Sequence, residues 1–252
     1  MSETFRRGHI VWRELMTPDA PASQAFYQGL VGWKYESMPM PGGGEYLMYG
    51  DAQGMLGGVV QMTAEMGGHP PHWMPYVSVE DVAACVARAK AAGGTIGVGP
   101  MDIGPGVFAV IGDPQGAWIT AWSGKGGDGE ARDMATMGPG GFCWDTLNTS
   151  DPKAAAAFYG EVFGWQVGDF QGNTTLLAND MAIADVQPAP PGVPAFWLCH
   201  LVVAELDEAV ATTVGQGGAQ LMPPMDVPTV GQFSVVRDPQ GAVVSLFVPQ
   251  FG

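Results

Sequence analysis

The chain has 252 residues, 46% of them apolar, and a formal net charge of −15 from 25 acidic and ten basic side chains. That balance argues against nucleic acid or an anionic membrane as partner, because both require clustered Lys and Arg. No window holds about 18 consecutive apolar residues, and Met1 to Arg7 lacks the apolar stretch of a signal peptide, so the sequence reads as a cytoplasmic globular protein with length for two domains.

Gly (38) and Pro (21) punctuate apolar runs, which predicts many short strands joined by turns. Gly8 to Leu15 is a first strand, and Pro21 to Leu30 carries Ala22, Ala25, Phe26 and Leu30 at helical spacing, closed by Gly32-Trp33. Strands at Trp33 to Met38, Glu45 to Tyr49 and Met55 to Met62 follow, giving the order β-α-β-β-β. Thr63 to His72 reads as loop. A strand over Trp73 to Val79, a helix from Glu80-Asp81 through Ala92, and strands at Thr95 to Val98, Val107 to Gly112 and Ala117 to Trp122 repeat that order. Ser123 to Gly140, rich in Gly, Asp and Met, is the expected linker.

The second half then repeats the first. Trp144 takes the place of Trp12, Ala157-Phe158-Tyr159 with Gly164-Trp165 matches Ala25-Phe26-Tyr27 with Gly32-Trp33, and Phe196-Trp197-Leu198 matches His72-Trp73-Met74. The pentapeptide Asp-Pro-Gln-Gly-Ala occurs at Asp113 and again 125 residues on at Asp238, each time launching a β-rich run. Four βαβββ modules, at about 8–62, 72–123, 141–187 and 195–249, are expected to pair into two α+β domains spanning 1–123 and 141–252, with 124–140 as linker. The isolated Cys85, Cys143 and Cys199 read as buried free thiols.

Ala25-Phe26-Tyr27 with Gly32-Trp33, Tyr76 to Asp81 with Gly93-Gly94, and the Asp-Pro-Gln-Gly turns together resemble the vicinal oxygen chelate superfamily. That superfamily contains glyoxalase I, extradiol dioxygenases and the fosfomycin- and bleomycin-resistance proteins, and tandem-domain bacterial members labelled glyoxalase/bleomycin-resistance-like or hydroxylase. The fold it implies hosts isomerases, oxygenases, thiol transferases and binding proteins, so function has to come from the site.

Metal-dependent members of that superfamily place one ligand, usually His, Glu or Gln, on the first and one on the last strand of each paired module. Counting from the motifs, the corresponding positions here are Trp12, Met74 and Thr120 in the first half and Trp144, Leu198 and Ser245 in the second, with Val59 and Asp185 nearest to a fourth site. Indoles, hydroxyls and aliphatic chains do not hold a divalent cation, so no metal or other cofactor is expected. His69-Pro70-Pro71-His72 reads as a turn, and His9 as an edge residue.

If these positions face the clefts, as the resemblance implies, alternation lines the first with Trp12, Glu14, Met74, Tyr76, Thr120 and Trp122, joined by Phe108 and Met48. The second holds Trp144, Thr146, Leu198, His200, Ser245 and Phe247, with Phe233. Two indoles, a phenol, thioethers and one carboxylate suit a flat organic ligand that is apolar, aromatic or cationic. Glu14 is the candidate catalytic base for a metal-free lyase or isomerase, and its counterpart is Thr146. Three readings therefore stand: a metal-independent binding protein of detoxification or resistance type; a lyase, isomerase or dioxygenase-like enzyme, metal-free through Glu14 or metal-dependent with atypical ligands; and a protein whose clefts are filled by its own side chains. A monomer or weak homodimer is expected.

Overall fold

The computed structural model describes residues 4–40, 43–66, 68–128 and 137–250. The first half runs β1 (Ile10–Thr17), α1 (Ala20–Val31), β2 (Lys34–Pro39), β3 (Glu45–Asp51), β4 (Gly54–Gln61), β5 (His72–Ser78), α2 (Val82–Ala91), β6 (Thr95–Asp102), β7 (Gly106–Gly112) and β8 (Trp118–Gly124). The second runs β9 (Phe142–Thr149), α3 (Pro152–Phe163), β10 (Gln166–Phe170), β11 (Asn173–Ala178), β12 (Met181–Pro188), β13 (Phe196–Val202), α4 (Leu206–Gly215), β14 (Ala219–Gln220), β15 (Met225–Val227), β16 (Gly231–Arg237) and β17 (Val243–Pro249). This is the βαβββ repeat, built as an α+β arrangement of four modules. Residues 129–136 of the expected linker lie outside the described residues.

Three details depart from the expected elements. A 3₁₀ turn at Ala64–Met66 interrupts the expected loop, and β6 runs on to Asp102 with register shifts between Ile96 and Met101. In the second half the matching strand breaks into β14 and β15, because Pro223-Pro224 has no N–H to donate to the ladder.

Local chemistry sets the helices. Asp19 caps α1 by accepting from Ala22 N at 3.0 Å, and Gly32 leaves the helix at φ 72°. Asp151 and Gly164 do the same for α3, with φ 75° at the glycine. Among the described residues no helix is long and apolar enough to cross a membrane.

The chain divides into two compact units that cut across the halves. One unit comprises Met1–Trp12, Met74–Ala131 and Asp145–Trp197, so it draws on the second and third modules. Its strands are ordered β5-β8-β7-β6 and β10-β11-β12-β9. Val77, Cys85, Ile111, Ile119, Leu147, Phe158, Tyr159, Trp165, Leu176 and Trp197 pack into one apolar cluster there. The other unit comprises Arg13–Trp73, Arg132–Trp144 and Leu198–Gly252, from the first and fourth modules. Its strands are ordered β2-β3-β4-β1 and β13-β17-β16-β14, with β15 also on β16. Its core joins Leu15, Phe26, Tyr27, Trp33, Tyr49, Trp73, Phe142, Leu201, Val236 and Leu246. The Trp33 indole stacks on Tyr49 at 4.0 Å between ring centroids and donates to the Gly140 carbonyl at 2.8 Å.

The repeated turns explain why each core takes elements from both halves. Asp238 Oδ1 accepts from the backbone N–H groups of Gln240, Gly241 and Ala242 at 2.7–2.9 Å, which closes the turn, and Gly241 takes φ 110°. Its other oxygen accepts the hydroxyl of Tyr27, from α1 of the opposite half, at 3.0 Å. Asp113 mirrors this: Oδ1 accepts from Gln115 N and Ala117 N at 2.9 Å, and Oδ2 accepts from Tyr159 of α3 at 3.1 Å. Trp197 Nε1 also reaches the Tyr159 oxygen, at 3.1 Å. Burial raises both carboxyls above the usual carboxylate range, opposed by these donors, and lifts both phenols well above 10.

Candidate functional site

Along β8, Ile119 and Ala121 enter the core, so Trp118, Thr120 and Trp122 occupy the other face. Register places Tyr76 of β5 beside Thr120, and Phe108 of β7 beside Trp122. The Tyr76 and Trp122 rings meet edge-on with centroids 6.4 Å apart. A Cβ at Gly106 would fall 2.5 Å from the Trp122 ring, and one at Gly124 would fall 3.0 Å from its indole nitrogen. Bare glycines thus let the indole lie down on the strands. Tyr76, Phe108 and Trp122 are half-exposed, while Thr120 is fully buried and its hydroxyl has no hydrogen-bond partner.

The other unit repeats this face 124 or 125 residues on. His200 of β13 pairs with Ser245 of β17, and Phe233 of β16 pairs with Phe247. The His200 ring lies 5.9 Å from Phe233 and 6.5 Å from Phe247. Gly231 stands where a Cβ would meet the Phe247 ring, as Gly106 does under Trp122. Ser245 is again fully buried with an unpartnered hydroxyl. His200 and Phe247 are buried, so this face is the more closed of the two.

Glu14 is 7% exposed, and Tyr46 of β3 donates its hydroxyl to Glu14 Oε1 at 2.5 Å. The register partner of Glu14 on β4 is Gly58. A side chain at Gly58 would strike the Tyr46 hydroxyl, and one at Gly57 would strike Tyr49, whose hydroxyl donates to the Arg13 carbonyl at 2.7 Å. The glycine doublet therefore lets one tyrosine cross each face of the strand. The Arg13 guanidinium lies 4.9 Å above the Phe142 ring. In the second half Asp185 of β12 is the register partner of Thr146 on β9. Thr146 donates to Asp185 Oδ1 at 2.5 Å and Gln187 Nε2 to Oδ2 at 2.9 Å.

The structure thus groups Tyr76, Phe108, Thr120 and Trp122, and separately His200, Ser245 and Phe247. Trp12 and Trp144 are half-exposed on β1 and β9, and Met74 and Leu198 are buried on β5 and β13. Val59 is a correction: it is 4% exposed within the core, and the position matching Asp185 is Gly58. Counting alone does not identify Tyr46. The signal that could have found it is the glycine doublet inside a strand, a mark of close approach.

Among the described residues, no three His, Cys, Asp or Glu side chains come together. The register pairs Glu14/Gly58, Tyr76/Thr120, Asp185/Thr146 and His200/Ser245 hold at most one good metal donor each. A divalent cation needs several such donors converging, so these residues do not fit the metal of glyoxalase-type sites. A 290 Å³ cavity elsewhere, lined by Arg7, Ser78, Asp81, Cys85 and Arg88 among others, offers no better chemistry. Arg88 donates to the Val162 carbonyl there at 2.7 and 2.9 Å, and burial raises the Cys85 thiol. The three cysteines are free, with Cys85 and Cys199 buried and Cys143 half-buried.

Known proteins agree with this architecture. The chain is 33% identical over 256 residues to CFP32 of Mycobacterium tuberculosis, a provisionally named glyoxylase, covering 97% of this chain and 96% of the relative. It is 29% identical to the anthracycline biosynthesis protein DnrV of Streptomyces peucetius, over 96% and 94% of the two chains. Among solved structures, the Mn(II)-bound glyoxalase from Novosphingobium aromaticivorans superposes with a TM-score of 0.62 at 18% identity, over 98% of this chain and 83% of the other. The 2,3-dioxygenase LapB from Pseudomonas sp. KL28 gives 0.62 at 14% identity, over 100% and 94%. The family profile matches residues 6–120 and again 142–246, and the chain belongs to the Glyoxalase/Bleomycin resistance protein/Dioxygenase superfamily.

Proposed function

We propose that this chain binds a flat, largely apolar or aromatic small molecule without a metal, in a detoxification or resistance-type role. One observation carries the reading: Trp122 lies over Gly106 and Gly124, flanked by Tyr76 and Phe108, with all three residues half-buried and so partly open to solvent. A ligand ring laid there buries apolar area at roughly 25 cal/mol per Å² and gains about 0.5–1.5 kcal/mol from each well-placed aromatic neighbour. The second face is more closed, so the Trp122 face is the expected first site.

Isothermal titration with a panel of planar aromatic compounds is the test. Saturable binding that persists in excess chelator, and that weakens roughly tenfold or more in Trp122→Ala, is the expected result. Failure of the whole panel to bind, or binding abolished by chelator, would overturn the reading.

The enzymatic alternative rests on Glu14, whose carboxylate is buried and oriented by the Tyr46 hydroxyl. As a base it would take a proton from a carbon next to a carbonyl. Turnover lost in Glu14→Gln, with aromatic binding retained, would select this alternative over binding alone.

A further inference from the structure

The 290 Å³ cavity beside α2 is no metal site, but it gathers both signs of charge along one helix face. Asp81 caps α2 by accepting from Ala84 N at 3.0 Å. Ala84, Cys85 and Arg88 follow it at the i+3, i+4 and i+7 positions, so the four share a stripe, and all four line the cavity. Glu80 joins Asp81 at one end, and Arg7 enters from the segment before β1. Asp81 and Arg88 stand about 10 Å apart along the axis. Arg88 leans back toward the carboxylate end by one turn, which puts its Nη2 2.9 Å from Cys85 Sγ.

Both guanidiniums are held by neutral groups. Arg88 donates from Nε and Nη2 to the Val162 carbonyl at 2.9 and 2.7 Å, in the last turn of α3, as well as to the Cys85 thiol. Burial lifts that thiol above its usual value, so it stays uncharged near neutral pH. Arg7 donates from Nη1 to the Val79 carbonyl at 2.5 Å and the Ser78 hydroxyl at 3.1 Å, and lies 4.2 Å over the Phe5 ring. These bonds leave Nη1 of Arg88, and Nε and Nη2 of Arg7, as donors. Among the described residues neither guanidinium is ion-paired, in a chain with 25 acids to ten bases. Asp128 meets Arg7 only through Ser78, whose hydroxyl it accepts at 2.5 Å. Carbonyls thus fix each guanidinium in position and leave its charge for a ligand. At the other end Asp81 spends Oδ1 on its cap, so Oδ2 and the exposed Glu80 carboxylate remain acceptors at the rim.

We propose that this cavity binds a small aliphatic α-amino acid as its zwitterion, with the carboxylate on Arg7 and Arg88 and the ammonium on Asp81 and Glu80. A pure anion would meet two carboxylates there and a pure cation two guanidiniums, so a ligand carrying both charges is the one favoured at both ends. Val79, Ala84 and Phe163 supply an apolar wall for a short side chain. A volume of 290 Å³ is at the small end for ligand cavities, which suits one amino acid rather than a peptide. The site is separate from the Trp122 face and stands whether or not an aromatic ligand binds there.

The test is isothermal titration of the full chain near neutral pH with L-leucine and its two deletion analogues, isocaproate, which lacks the ammonium, and isoamylammonium, which lacks the carboxylate. None of the three carries a ring to stack on Trp122. L-leucine should bind saturably and at least about tenfold more tightly than either analogue, the size of one charge-assisted hydrogen bond. Glu80→Gln and Asp81→Asn should each weaken L-leucine by about threefold, a small factor because both carboxylates are exposed and screened, without weakening isocaproate. Asn caps a helix as well as Asp does, so these variants keep the fold. Arg7→Gln should weaken L-leucine about tenfold without weakening isoamylammonium. The proposal is overturned by no saturable binding of L-leucine below about 10 mM, by an analogue that equals it, or by native affinity in the double variant Arg7→Gln/Asp81→Asn.

Discussion

Asp238→Ala should cost about 3–5 kcal/mol, the scale for breaking a buried hydrogen-bond network. The substitution removes the acceptor for three backbone N–H groups of the turn and strands the hydroxyl of Tyr27, which is fully buried. For a chain of this size that corresponds to a fall in Tm of roughly 6–20 °C. Tyr27→Phe, which leaves the turn intact, should cost only about 1 kcal/mol. Asp113→Ala should match Asp238→Ala in size but act on the other core, because its tyrosine is Tyr159. Hydrogen exchange distinguishes the two: Asp238→Ala should loosen amides around Tyr27 and Leu246, and Asp113→Ala those around Tyr159 and Ile119. Equal loosening of both cores by either variant would refute this assignment. The pH dependence has a definite sign. Burial holds the Asp238 carboxyl above its ordinary value, so its contribution is fullest below about pH 4 and declines as pH rises through the folded value. The penalty of Asp238→Asn relative to the native chain should therefore shrink from acid toward neutral pH.

The second large effect is alkaline. Tyr27, Tyr49 and Tyr159 are fully buried, and burial is the first cause that lifts each phenol well above 10. A phenol raised in the folded state favours folding fully below its unfolded value near 10, and that contribution drains away as pH climbs toward the folded value. Each phenol removes about 1.4 kcal/mol per pH unit across that range, so the three together remove about 4. Urea midpoints should be flat with respect to these groups up to about pH 9.5 and fall steeply beyond it. Tyr49→Phe should shed about a third of the slope. A midpoint holding unchanged to about pH 11.5 would show that the phenols ionise without unfolding the chain.

Local features of the fold were legible where the chemistry is local. The glycines that end α1 and α3 and the Asp-Pro-Gln-Gly turns follow from nearest neighbours. Alternation along β8 and β17 placed Thr120 with Trp122 and Ser245 with Phe247, because one strand's pattern fixes its own faces. Register between strands is another matter. Val59 and Gly58 differ by one residue, and a slip of one sends a side chain to the opposite face. For the same reason the links from Glu14 to Tyr46 and from Thr146 to Asp185 could not be read along the chain. Nor does anything in the repeats state that Tyr27 belongs with Asp238 rather than Asp113. Each half contains both partners, and only the packed cores decide between them.

That last choice has a consequence for how the protein is held together. Each half supplies a helix tyrosine to the other's turn and receives one in return. Neither half can close a core from its own residues, and each contributes what the other lacks. The peptide link between them then serves mainly to keep the partners at high effective concentration. A chain severed between residues 128 and 137 should persist as two fragments that co-purify and complement each other, while either fragment made alone should be left with an open apolar surface.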